Sequence, residues 1–172
     1  AIVAITLFMV GNQRLDKGLR NVGIGAFALG LALFLASWFV DTPREKCVRR
    51  SRQVVAAVAG RDWNTLTTLI APRFKLSVAG FGTVYANKDE MLAACKDAVD
   101  RYGLKSAKVI SVEGINTGDY IKVNLSVYSE QDYTMGYPLQ SGWEFDWQDM
   151  KDGWELTEVT ALQVGGRSGS QI

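Results

Sequence analysis

WEFDWQDMKDGWELTEVTAL, residues 143–162, reads as two strands and the turn between them. Trp143, Phe145 and Trp147 alternate with Glu144, Asp146 and Gln148. A strand turns successive side chains to opposite faces, so 142–149 has one aromatic face and one polar face. Lys151-Asp152-Gly153 is a turn, and 154–164 is the predicted return strand. Upstream, 120–128 repeats the pattern, with Ile121, Val123, Leu125 and Val127 on one face and Lys122, Asn124 and Ser126 on the other. The hairpin signal INTGD (115–119) joins it to a strand over 105–115 carrying Val109, Ile110, Val112 and Ile115. Three or four long antiparallel strands with one apolar face each require helices to cover that face.

The helices precede the strands. Thr42-Pro43-Arg44-Glu45 combines a cap, a proline at the first helical position and a capping-box glutamate. Cys47, Val48, Ser51, Val54, Val55 and Val58 follow at helical spacing, and Gly60 ends the helix. Asp62 caps a short helix predicted over 63–70 and stopped by Pro72. Two short strands, 74–78 and 83–86, flank the turn AGFG. Asn87 opens a helix to Tyr102 with Met91, Leu92, Cys95, Ala98 and Val99 on one face, and Gly103 is its left-handed stop. The tail 165–172 (GGRSGSQI) is expected to be disordered.

The first 40 residues differ in kind. Residues 22–40 form an uncharged run of 19, long enough as a helix to cover a hydrocarbon layer of about 30 Å. Residues 1–10 are also apolar and read as the remainder of a first transmembrane helix. The basic loop 11–21 would join the two as a hairpin. Its Arg14, Lys17 and Arg20 favour a cytoplasmic loop, which places the following domain on the extracytoplasmic side; the basic residues after Asp41 argue the reverse. Gly23, Gly25, Ala26 and Gly30 offer a small-residue face to another helix.

Composition excludes several chemistries. The chain has no histidine, so no imidazole base, histidine-dependent triad or histidine-ligated zinc can be built. Three of the 19 basic and one of the 18 acidic residues precede Asp41, leaving 16 against 17 for the rest. That balance speaks against a nucleic-acid binder. Two cysteines without a Cys-x-x-Cys motif call for no metal or cofactor. Cys47 and Cys95 are expected as buried free thiols, with a disulfide as the alternative in an oxidising compartment.

The order helix, short helix, short strand pair, helix and long strands, over 42–164, resembles the nuclear transport factor 2-like superfamily. This is the cone-shaped, cystatin-like α+β fold shared with ketosteroid isomerase and the SnoaL-like polyketide cyclases. The resemblance rests on TPREKCVRRSRQVVAAVAGRDWNTLTTLIAP, ANKDEMLAACKDAVDRYG and WEFDWQDMKDGWELTEVTAL. It implies a curved antiparallel sheet packed with three helices, here preceded by a transmembrane hairpin, as in membrane-anchored bacterial members. It also implies a pocket between sheet and helices, and dimerisation through the open sheet face at 120–128 and 142–149. No catalytic residue of the superfamily's enzymes transfers by motif.

The pocket candidates are Trp143, Phe145, Trp147 and Trp154, with Tyr128 and Tyr133 nearby and Tyr102, Asp97 and Glu113 as further cavity candidates. Ordinary core packing is the alternative for the aromatic set. The acidic run Glu144, Asp146, Asp149, Asp152, Glu155 and Glu158 reads as a solvated strand face, unless one member meets a dry pocket and becomes a base. Arg44, Lys46, Arg49, Arg50 and Arg52 form a stripe suited either to anionic headgroups or to water. These readings favour a non-catalytic, membrane-held module that binds the bilayer, itself, a membrane-protein partner or a small apolar ligand. An isomerase, dehydratase or cyclase using a pocket carboxylate and a tyrosine is the alternative, and a structural subunit of a membrane complex is a third.

Overall fold

In the computed structural model, which describes residues 17–39, 41–132, 138–151, 153–165 and 167–168, the N-terminal apolar run is helical. Helix α1 spans Lys17–Phe39. Its described large apolar side chains, from Val22 to Leu35, are 47 to 64% exposed. They cover about 20 Å of helix. The hairpin expected over 1–40 is not seen. Residues 1–16 lie outside the described residues, and among those described no helix is long and apolar enough to cross a membrane. The expected loop 11–21 is corrected in part, since Lys17 and Arg20 belong to the first turn of α1. The chain divides into two units, Ala1–Asp41 and Thr42–Ile172.

The second unit opens as its capping residues dictate. Helix α2 is Pro43–Ala59, with Thr42 Oγ1 accepting from the Glu45 N–H at 3.3 Å and Glu45 Oε2 accepting from the Thr42 N–H at 2.9 Å. Asp62 caps α3 (Trp63–Leu69) by accepting from the Thr65 N–H at 3.1 Å. The next strand starts earlier than expected. β1 runs Ile70–Val78, so Pro72 sits inside an extended segment rather than just past a helix. β2 (Gly82–Tyr85) pairs back on it. Helix α4 (Lys88–Tyr102) ends at Gly103, whose φ of 61° is a left-handed cap. Lys88 Nζ donates to the carbonyls of Thr67 and Ile70 at 2.6 and 2.8 Å, placing a cation on the carbonyl end of α3.

Four long strands follow: β3 (Leu104–Asn116), β4 (Ile121–Gln131), β5 (Leu139–Met150) and β6 (Gly153–Val164). The sheet order is β2-β1-β6-β5-β4-β3. The expectation of a fully antiparallel sheet needs one correction, because β1 and β6 are parallel. They are neighbours in space but separated in the chain by β2, α4 and β3 to β5, so their pairing is a long-range one, while β6 itself follows its antiparallel neighbour β5 directly. Register shifts in β1, β3 and β5 bend the strands, and the sheet curves without closing. The tail is not wholly irregular: β7 (Arg167–Ser168) pairs with Gln163 and Val164 of β6.

The inward faces match the period-two pattern. Ile121, Val123, Leu125, Val127, Phe145 and Trp147 are buried against Val54, Leu66 and Phe74. Trp147 is fully buried, and its Nε1–H donates to Ser51 Oγ at 2.9 Å. Ser51 Oγ in turn donates to the Cys47 carbonyl at 2.9 Å.

Candidate ligand cavity

The cavity lies between the inner face of the sheet and the three helices of the second unit, with a volume of about 440 Å³. Alternation along β4 and β5 builds its floor: Leu125, Val127, Ser129 and Gln131 from β4, and Ser141, Trp143 and Phe145 from β5. Leu104 and Ala107 of β3 and Leu156 and Val159 of β6 extend it on either side. Val54, Val55 and Val58 of α2 and Met91, Ala94, Cys95 and Ala98 of α4 form the roof. Leu66, Ile70, Phe74, Leu76 and Tyr85 complete the lining. The small side chains Ala94, Ala98 and Ala107 leave the space open, where larger ones would turn it into core.

The aromatic candidates divide. Trp143 and Phe145 line the cavity. Trp147 does not, because it is sealed into the core under α2 by its bond to Ser51. Trp154 packs against the core without reaching the cavity, and its carbonyl accepts from Arg50. Tyr102 is 47% exposed, and Glu113, Asp97 and Tyr128 are exposed as well; none of the four lines the cavity. Tyr133 lies outside the described residues.

Among the described residues the lining holds no Asp, Glu, Lys or Arg. Glu144, Asp146 and Glu158 of the acidic run are on the other side of the sheet. There Glu144 Oε1 accepts from Lys122 Nζ at 2.7 Å, and Glu158 Oε1 accepts from Ser77 Oγ at 3.1 Å. Asp146 sits between them in register with Lys122 and Glu158. Burial pushes its pKa up to about 6, with Glu144 and Glu158 adding to the rise and Lys122 opposing it. Its Oδ1 is buried without a hydrogen-bond partner, as is Asn124 Oδ1. Thus one carboxyl of the run is perturbed, but on the outer face and away from the cavity. Among the described residues no three acidic or cysteine side chains gather closely enough to hold a metal ion.

Both cysteines are free thiols. Burial pushes Cys47 up to about 12, against a lowering by Arg50, and burial also raises Cys95 in the cavity wall. A protonated thiol is a poor nucleophile, so neither is poised for covalent chemistry. The basic stripe is not uniform. Arg44, Lys46, Arg49 and Arg52 are exposed, whereas Arg50 is half-buried on the Trp154 carbonyl. Arg44 also lays its stem over Gly114 of β3, where a Cβ would stand 2.9 Å from Arg44 Cγ and 3.0 Å from Val48 Cγ2.

Sequence reading missed Tyr85, Cys95, Ser129, Gln131 and Ser141 as lining residues. For Ser129 and Gln131 a signal existed, since they continue the odd-numbered series that begins at Ile121.

Neither a protein-family model nor a curated protein sequence matches the chain. Solved structures do. A nuclear transport factor 2-like protein from Cytophaga hutchinsonii superposes with a TM-score of 0.58 at 13% identity, covering 70% of this chain and 98% of that one. A candidate ketosteroid isomerase from Shewanella frigidimarina gives 0.56 at 17% identity, over 70% and 95% of the two chains. A nuclear transport factor 2-like protein with a cystatin-like fold from Novosphingobium aromaticivorans gives 0.54 at 14%, over 77% and 86%. At these identities what is shared is the fold: a curved α+β sheet with helices of the nuclear transport factor 2-like, cystatin-like type.

Proposed function

We propose that the domain over 42–164 is a binding module that takes up a small apolar molecule, without itself catalysing a reaction. The observation that carries this reading is the 440 Å³ cavity whose described lining is almost wholly hydrocarbon and holds no charged side chain. Apolar surface facing such a space releases water when a ligand enters, which is a favourable exchange. The neutral fluorophore 1-aminoanthracene tests it. Its emission is expected to rise saturably with the full chain and not with Ala98→Phe, which fills the cavity from the α4 side. Absence of saturable binding, or equal binding by the variant, refutes the reading.

The likeness to a candidate ketosteroid isomerase supports an isomerase, dehydratase or cyclase only as a second reading. Such chemistry needs a proton acceptor at the substrate. Tyr85 lines the cavity, but no carboxylate of the described lining accompanies it.

Membrane attachment belongs to the same proposal, with the domain on the extracytoplasmic side. The uncharged run 22–40 and the exposed apolar side chains of α1 support it, and the exposed Arg44, Lys46, Arg49 and Arg52 suit anionic headgroups. Carbonate-resistant sedimentation of the full chain with membranes, lost on deleting 1–40, is the expected result. A C-terminal reporter active only in the cytoplasm would reverse the orientation.

A further inference from the structure

We infer that the cavity is shaped for an uncharged ligand carrying a hydrogen-bonding group at one end, seated with that end at the last residues of β4. This rests on the binding reading above and specifies what is bound.

The polar groups of the cavity floor are not scattered. Along the inward series of β4 the side chains change from Ile121, Val123, Leu125 and Val127 to Ser129 and Gln131. Ser141 of β5 stands opposite Val127, and Leu104 of β3 stands opposite Gln131, so the change falls at one end of the sheet. The Trp143 indole is turned the same way, its Nε1–H donating to Ser141 Oγ at 2.8 Å. Four polar side chains therefore meet at the β4 C-terminal end.

Three bonds made by these side chains are long. Gln131 Nε2 donates to Ser129 Oγ at 3.4 Å, Ser129 Oγ to the Leu139 carbonyl at 3.5 Å, and Ser141 Oγ to the Val127 carbonyl at 3.4 Å. These lie beyond the usual range for such bonds, so a ligand hydroxyl or carbonyl can replace these three at little cost. Both serines and the glutamine amide are neutral and can donate or accept. The cluster thus suits an alcohol, phenol, ketone or amide. It offers no counter-ion, and an unpaired charge brought into an apolar site is strongly disfavoured. Lys105 and Asp132, next in the chain to Leu104 and Gln131, pair with each other at 2.7 Å and are exposed.

The opposite end is hydrocarbon from Phe74, Phe145, Leu156 and Val159, with Tyr85 on the edge strand β2. At the roughly 30 Å³ that a water-sized group occupies, the cavity has room for about fifteen non-hydrogen atoms.

Three probes on one skeleton test the inference by calorimetry with the full chain: biphenyl, 4-phenylphenol and biphenyl-4-carboxylate. 4-Phenylphenol is expected to bind about three- to tenfold more tightly than biphenyl, the gain of one or two neutral hydrogen bonds. The carboxylate is expected to bind at least about tenfold more weakly than the phenol. Ser129→Ala combined with Gln131→Leu should erase the preference for the phenol while leaving biphenyl binding intact, which also shows that the variant is folded. Tyr85→Phe should leave the preference in place. If biphenyl binds but the phenol gains nothing, or the carboxylate equals the phenol, the inference is overturned and the binding reading stands. The inference is equally overturned if the preference survives the double variant or disappears with Tyr85→Phe. If none of the three probes binds, the binding reading falls and takes the inference with it.

Discussion

Replacing Ser51 by alanine should destabilise the protein, and should do so only while Trp147 is present. Ser51 Oγ accepts the Trp147 indole N–H at 2.9 Å inside the core, where both residues are fully buried. Ser51→Ala leaves that N–H without an acceptor and beyond the reach of water, a loss of about 1–3 kcal/mol. Alanine is the better helix former, which returns roughly 0.5 kcal/mol. The Cys47 carbonyl loses its bond from Ser51 Oγ but keeps the N–H of the next helical turn. The net cost is then about 0.5–2.5 kcal/mol, or about 4 °C in midpoint for each kcal/mol in a domain of this size. Trp147→Phe removes the donor and part of the ring, and should cost less than the ~3–5 kcal/mol of truncating a buried aromatic to alanine. In that background Ser51→Ala strands nothing, so it should be neutral or slightly stabilising. The coupling in the double-mutant cycle is therefore about 1–3 kcal/mol. Urea unfolding of the full chain, followed by tryptophan emission and near-UV dichroism, gives the four free energies if the two probes coincide. An equal cost of Ser51→Ala in both backgrounds would refute the assigned role of the bond.

Two further outcomes follow from the sheet. Asp146 has a folded pKa of about 6 against 3.8 for the free side chain, chiefly through burial. Between these values the folded protein holds a proton that the unfolded chain has released, so this group's contribution is greatest below pH 3.8 and is lost as pH rises through 6. Melting midpoints taken from pH 4 to 7 should show that decline in the wild type and a flatter profile in Asp146→Asn; identical profiles would count against the perturbed carboxyl. Gly114→Val drives a branched side chain into Val48 and the Arg44 stem, where even a Cβ would be 2.9–3.0 Å away, and should cost about 1–3 kcal/mol in the same urea assay. A neutral result would mean that α2 can lift from β3 at little cost.

Local signals carried most of the architecture. The capping box at Thr42 and Glu45, the cap at Asp62 and the left-handed Gly103 fixed helix ends within a residue or two, because such signals act over one turn of chain. Alternation along 120–128 and 142–149 identified the inward faces, because burial on one side of a strand imposes a period of two. The parallel pairing of β1 with β6 was not legible, since no residue of β1 encodes a neighbour some 80 positions away. For the same reason the aromatic set could not be divided on the page. Trp143 and Trp147 share a face and differ by only four residues, yet one lines a cavity and the other is core. What separates them is the helix above: Ser51 of α2 reaches Trp147, while Ala94 and Ala98 of α4 leave room above the floor that Trp143 helps to form. The sequence by itself determined the elements, the buried faces and the exclusion of histidine chemistry. The tertiary structure decided that a cavity exists, that Glu144, Asp146 and Glu158 face away from it, and that the polar side chains of its floor meet at one end. Those are properties of the space between elements, set by side chains far apart in the chain, and packing alone brings them together.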